Sequence, residues 1–214
     1  MNKVEWRKQC KDLYLPKNKP AKIDIPAMCY FTIEGSGNPN SEKFNEAIEI
    51  LYSLSYAIRM MPKKGITPEG YYEYTVFPLE GFWDLDEEGR TLDYLSKDNL
   101  VYKLMIRQPE FVTNELLDYA VKSVKLKKPN LCLDKVKFEI IEEGLCVQAM
   151  HLGSYDDEPQ TFNLMQQFCV ENNLDRLEKT HKEIYISDAR KTPPEKLKTV
   201  LRFKVREKSK ESAY

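Results

Sequence analysis

Apolar residues change their spacing along this chain in a repeating order. From Ala21 to Glu34 they crowd together (Ile23, Ile25, Met28, Tyr30, Phe31, Ile33), which predicts a strand. Gly35-Ser36-Gly37-Asn38-Pro39 breaks it. Phe44, Ala47, Ile48, Leu51, Leu54, Tyr56 and Ile58 then recur at helical spacing behind Ser41, a residue suited to capping a helix start. Pro62 and Gly65 stop that helix. Tyr71 to Leu79 and Leu100 to Ile106 predict two more strands, joined by an acidic turn around Asp86 to Gly89. Phe111 to Val124 is amphipathic and closes at Lys125 to Pro129, as a connecting helix would. The order then returns. Val136 to Met150 predicts a long strand bent near Glu142-Glu143-Gly144, and His151 to Tyr155 breaks it. Phe162, Met165, Phe168 and Cys169 form a helix stripe; Ile184 to Ser187 and Thr199 to Val205 supply the last strands.

The halves match in detail. Gly35-Ser36 precedes Phe44 by the spacing that separates Gly153-Ser154 from Phe162. Tyr72-Glu73-Tyr74-Thr75-Val76 aligns with Lys182-Glu183-Ile184-Tyr185-Ile186, which puts a glutamate at one point of each third element. The prediction is an α+β fold of two βαββ modules: residues 21–107, a connecting helix over 110–128, and residues 131–206. Residues 1–20 read as an N-terminal arm and 207–214 as a tail. One such module cannot bury both faces of its sheet, so the two should share an interface. A ligand cleft between them is expected.

Composition narrows the function. Charged residues make up 31% of the chain and nearly cancel to a formal −1. Nucleic acid binding calls for a strongly basic face, so none is expected. The lysine-rich stretches Lys122 to Lys128 and Lys196 to Lys210 read as solvated faces. No run approaches the roughly 20 apolar residues of a membrane span, and the start lacks a signal-peptide core. Five cysteines without CxxC spacing suit free thiols in a reducing compartment, which points to the cytoplasm.

Candidate chemistry starts with His181-Lys182-Glu183-Ile184-Tyr185. Strand side chains alternate, so His181, Glu183 and Tyr185 share one face. If the isoleucines pack under the helices, that face looks into the cleft, where Glu183 can pair with a cation or activate water. The alternative is a salt-bridged strand glutamate. Glu73 is the symmetric candidate, with Tyr71 on its face. Phe82-Trp83 stands in a turn past a strand end, where it either stacks on a ligand or plugs the core edge. Tyr155 at the strand-to-helix turn either reaches the cleft or packs locally. His151 and His181 lack HExxH or cysteine partners, so no metal is expected. Asp156-Asp157-Glu158 reads as favourable charge at a helix start. The absence of a P-loop or GxGxxG removes the usual nucleotide cofactors, and no cofactor is called for.

These residues resemble a known family. Met150-His151-Leu152-Gly153-Ser154-Tyr155, Phe162 in its helix, His181 to Arg190 and Thr192-Pro193-Pro194-Glu195-Lys196-Leu197 look like the stand-alone GyrI-like small-molecule-binding proteins. Pro78 to Trp83 is similar to that family's aromatic turn. The resemblance implies a pseudo-two-fold pair of βαββ modules around a ligand cleft. It implies a small-molecule partner, a bulky aromatic or cationic xenobiotic, met by a strand glutamate at the position of Glu183. One branch comprises cyclopropanoid hydrolases, which open a strained ring inside an aromatic cage. Phe82, Trp83, Tyr155 and Tyr185 would form such a cage, with Glu183 and Tyr185 catalytic. Glu73, Tyr71, His181, Met150 and Phe162 would add ligand contacts. The alternative is a non-catalytic protein-interaction module like the gyrase-inhibiting relatives. Oligomeric state is not legible.

Overall fold

Residue packing sorts the chain into two units that interleave in sequence. The structure, a computed structural model, describes residues 3–208. One unit holds the chain up to Cys10 together with Met28–Ile141; the other holds Lys11–Ala27 and the chain from Glu142 onward. No helix among the described residues is long and apolar enough to cross a membrane.

The expected arm is a folded segment instead. It carries two one-turn helices, α1 (Trp6–Gln9) in the first unit and α2 (Lys11–Tyr14) in the second. Trp6 is buried and its indole Nε1 donates to the Val76 carbonyl at 3.0 Å. Tyr14 is buried as well. Large aromatics in a short polar segment bury enough apolar area to hold it down.

The strand expected from Ala21 to Glu34 is two strands, β1 (Ala21–Ile25) and β2 (Met28–Ser36). Pro26 lies between them; lacking an N–H, it cannot continue a ladder. In the first unit β2 is followed by α3 (Glu42–Arg59), whose Ser41 hydroxyl accepts from Phe44 N at 3.3 Å. Phe44, Ala47, Leu51, Leu54 and Ile58 form its buried stripe, whereas Tyr56 lies on the open side. Residues 66–78 form no strand; their one bridge pairs Tyr74 with Val4. The third element is β3 (Leu79–Leu85), followed by β4 (Leu100–Gln108), the helix α4 (Asn114–Lys127) and β5 (Lys137–Ile141). The antiparallel order is β5, β2, β4, β3.

The second unit repeats this plan. The long strand expected from Val136 to Met150 is also divided: β5 ends at Ile141 and β6 (Gly144–Leu152) begins at a glycine with φ +64°, a left-handed conformation open to glycine without penalty. Then come α5 (Glu158–Glu171), β7 (Leu174–Arg176), β8 (His181–Tyr185) and β9 (Lys198–Glu207). The order is β1, β6, β9, β8, with β7 also paired to β9. Each unit thus takes its outer strand, β5 or β1, from just ahead of the other unit's βαββ run. The short β7 carried no clear strand signal. Of the expected tail, residues 209–214 lie outside the described residues.

Period two gives the second unit's sheet two buried faces. On one, Val147, Ala149, Leu201, Phe203 and Val205 pack against Met165 and Cys169 of α5. On the other, Glu143 accepts from Lys182 Nζ at 2.6 Å and lies 3.3 Å from Arg202 Nη1. Arg202 also donates to Gln148 Oε1 and the Leu13 carbonyl, both at 2.8 Å, and Gln148 Nε2 donates to the Asp12 carbonyl. Lys182 and Arg202 are 0% and 1% exposed. Burial alone would raise Glu143, but the two cations hold its carboxyl below the usual 4.5.

A depressed folded-state pKa contributes stability that is full above the unfolded value and is lost as pH falls through the folded one. Glu143→Gln should therefore cost about 3–5 kcal/mol near neutrality, as removal of one partner from a buried ion pair does. Urea unfolding at pH 7 and pH 3 should show that cost shrinking in acid.

Candidate functional site

The opposite face of β8 carries His181, Glu183 and Tyr185, and it is the face covered by α5. The sequence expectation put the isoleucines under the helix; the register reverses it. Glu183 stands opposite Leu201 and Tyr185 opposite Thr199, and Leu201 belongs to the core beneath α5. Ile184 shares its face with Lys182 and Arg202 instead.

Within this group the contacts are specific. His181 Nε2 donates to Glu183 Oε1 at 3.1 Å. Phe162 of α5 meets the His181 ring edge-to-face with centroids 4.8 Å apart. The Glu183 side chain keeps 12% of its surface open. Tyr155 and Tyr185 meet at 6.1 Å, nearly perpendicular. Tyr155 is 39% exposed, yet its phenol is pushed up to about 12, first by burial and then by the charges of Glu183, Glu158 and Asp188. Its hydroxyl therefore stays protonated and can donate.

A third acidic group completes the set. Glu158, the first residue of α5, is 6% exposed, and its Oε1 has no hydrogen-bond partner. Burial, then the charges of Glu183 and Asp156, push its carboxyl up to about 9. Glu158, His181 and Glu183 each offer an atom within 4.8 Å of the others, so this is the set among the described residues whose spacing can hold a metal ion. The imidazole lacked neighbours with ligand spacing in sequence but has two carboxylates beside it in space.

A model of the GyrI-like small molecule binding domain matches residues 18–206. The chain belongs to the GyrI-like family. A hydrolase from Listeria innocua is 37% identical, covering 96% of this chain and 100% of its own length, with a TM-score of 0.89. An uncharacterized conserved protein from the same organism is 38% identical over 95% of this chain and 100% of its own, with a TM-score of 0.87. The C-terminal domain of EcmrR, 14% identical over 88% of this chain and 98% of its own, shares the fold at a TM-score of 0.55. No curated protein matches.

This GyrI-like protein thus gathers His181, Glu183, Tyr185, Tyr155 and Phe162 in its second unit. Met150, expected with them, projects to the other face of β6, opposite Val200, and its amide donates to the Lys17 carbonyl. His151 is buried and fixed: Nε2 donates to the Ser154 carbonyl and Nδ1 pairs with Thr161 Oγ1, both at 2.9 Å. Asp188 grips the Arg190 guanidinium through both carboxylate oxygens at 2.9 Å, which stiffens the turn after β8.

The first unit's candidates go to separate environments. Glu73 is exposed in the segment without a strand, and Tyr71 donates to the Arg59 carbonyl. The glutamate alignment therefore fails. By ladder register, the counterpart of Glu183 opposite Leu201 and Ala149 is Leu79, opposite Ile106 and Phe31. Phe82 and Trp83 lie within β3 rather than in a turn. Trp83 is 5% exposed and packs on Phe44 (5.7 Å) and Tyr102 (5.4 Å). Gly35 leaves room for that cluster, since a Cβ there would meet the Tyr102 ring at 2.6 Å.

Sequence reasoning missed Glu158. The available signal was its position: Glu158, Thr161, Met165 and Cys169 form one buried stripe of α5, so the carboxylate sits at an apolar position of the helix. Trp83→Ala should lower the stability of this GyrI-like protein by about 3–5 kcal/mol in urea unfolding, the range for a large aromatic removed from a core.

Proposed function

We propose that this protein binds flat, electrophilic small molecules beside β8 and hydrolyses them, with Glu183 as the base that activates water. The observation that carries this reading is the Glu183 carboxylate, held by His181 Nε2 and kept slightly open to solvent among aromatic rings. The 37% identity to a hydrolase of Listeria innocua across almost the full chain supports it.

The substrate class proposed is the cyclopropane-bearing DNA-alkylating compound. Its strained ring carbon accepts a nucleophile, and its conjugated carbonyl takes up the displaced electron pair. Rings stacked against the ligand fix its orientation, which turns attack by water into a positioned, effectively intramolecular step. His181 orients Glu183, Glu183 takes the water proton, and the hydroxyl of Tyr185 steadies the oxygen that gains charge. Bulky aromatic or cationic xenobiotics would bind the same group without reacting, with the carboxylate as counter-ion and the tyrosines as cation–π partners.

Incubation with such a cyclopropane, followed by mass spectrometry, should give the ring-opened product one water heavier than the substrate. Glu183→Gln should slow its formation roughly a hundred-fold, at the lower end of what general base catalysis contributes. Substrate recovered intact from the wild type would limit the function to binding.

A further inference from the structure

We propose that Glu158 is a second catalytic residue of this site: a carboxylic acid that gives its proton to the ligand's carbonyl oxygen while Glu183 takes one from water. The inference rests on the hydrolytic reading above and names the chemistry that its substrate must present.

The geometry assigns different roles to two carboxyls that lie close together. Glu158 and Glu183 approach within 4.8 Å, with His181 beside both. Two carboxylates at that range resist ionising together, and the more deeply buried, unpartnered one is the one that burial favours as the neutral acid. Glu183 has the His181 N–H and an opening to solvent. Glu158 has neither: it is 6% exposed and its buried Oε1 has no hydrogen-bond partner. The groups facing it are Glu183 and His181 from β8, and Asp156 and Tyr155 from the turn before α5. Of these only His181 can become a cation, and its Nε2 is engaged by Glu183. Burial and the neighbouring negative charges hold the Glu158 proton on up to about pH 9.

A buried O–H without an acceptor is a standing demand for one. A ligand carbonyl meets that demand and a bare cation does not, so the site selects electrophiles that carry a hydrogen-bond-accepting oxygen conjugated to the ring. In the reaction the water oxygen bonds to the ring carbon and the ring C–C bond breaks. Its electron pair moves through the conjugated system to the carbonyl oxygen. The water proton goes to Glu183 and the Glu158 proton goes to that oxygen, so one water has been added overall. The two carboxyls have then exchanged protonation states, and a proton passing from Glu183 back to Glu158 restores the site.

Two readouts test this, one without turnover. Infrared difference spectroscopy of Glu158→Gln against the wild type at pH 7 should show a carboxylic-acid carbonyl band in the wild type only, fading as pH rises through about 9. Single-turnover ring opening of an uncharged cyclopropane conjugated to a ketone should slow roughly a hundred-fold in Glu158→Gln, with ligand affinity changed less than about three-fold. Glu158→Asp should recover part of the rate, which guards against a folding defect in the amide variant. The proposal falls if the band is missing at pH 7 or if Glu158→Gln turns over like the wild type. It falls equally if zinc added alone binds stoichiometrically to the wild type but not to Glu158→Gln. A wild type that shows the band yet forms no product removes the hydrolytic reading and the proton transfer with it, while the protonated Glu158 stands.

Discussion

Alternation along β8 is the constraint on which the second unit depends. Lys182 and Glu183 are neighbours in the chain, and a strand must send them to opposite faces. Lys182 goes to a fully buried place beside Glu143, with Arg202 alongside. An ion set of this kind is expensive to bury, and its net contribution to stability is small beside the cost of breaking it. Its value here is positional. A slip of one residue would put Lys182 under α5 and Glu183 against Arg202, costing Glu143 its lysine, so the register is strongly specified. The face that holds the candidate chemistry is thereby fixed by the face that holds none.

Helix α5 supplies the complement. Its apolar stripe packs Met165 and Cys169 onto Val147, Ala149, Leu201 and Phe203, a core in which each buried Val, Leu, Phe or Met side chain contributes about 1.5–3 kcal/mol. The same stripe begins at Glu158. The stripe that packs onto the core thus carries a carboxyl out of water with it, and burial raises that acid. The first unit has the same plan without the acids. Leu79 takes the register of Glu183, and Phe44, Trp83 and Tyr102 fill the space under its helix.

How much of this was legible follows from what each signal measures. The α+β class, the repeated βαββ order and the family were readable because periodicity and the His181 to Arg190 stretch are local. The helix boundaries behind Ser41 were readable for the same reason. Strand ownership was not. Ala21 to Glu34 is one apolar run whose halves pair with β6 and with β4, and pairing partners leave no mark on a local pattern. The glutamate alignment failed because spacing in sequence ignores the segment before β3, where residues 66–78 take no strand conformation. His181 and Glu183 were singled out together because alternation puts them on one face of a strand, Phe162 because it opens a helix stripe and Tyr155 because of its turn. Alternation does not say which face meets the helix, and that part came out reversed. Glu158 was passed over because acidic residues at helix starts have an ordinary explanation, and its spacing to Thr161, Met165 and Cys169 is the one local sign that sets this one apart.

The interleaving of strands has a consequence for how the molecule is made. Ala21 pairs with Gln148 and Ile25 with Gly144, so β1 leaves the ribosome well before the strand that completes it. At 5–20 residues per second that delay is roughly 6–25 s, long compared with the microseconds in which a hairpin closes. The first unit's four strands, β2 to β5, are all synthesised by Ile141 and can pair in that interval. During the same wait, β1 is an unpartnered edge on a nascent chain, and its Lys22 and Asp24 are the charges that discourage it from pairing with the wrong neighbour.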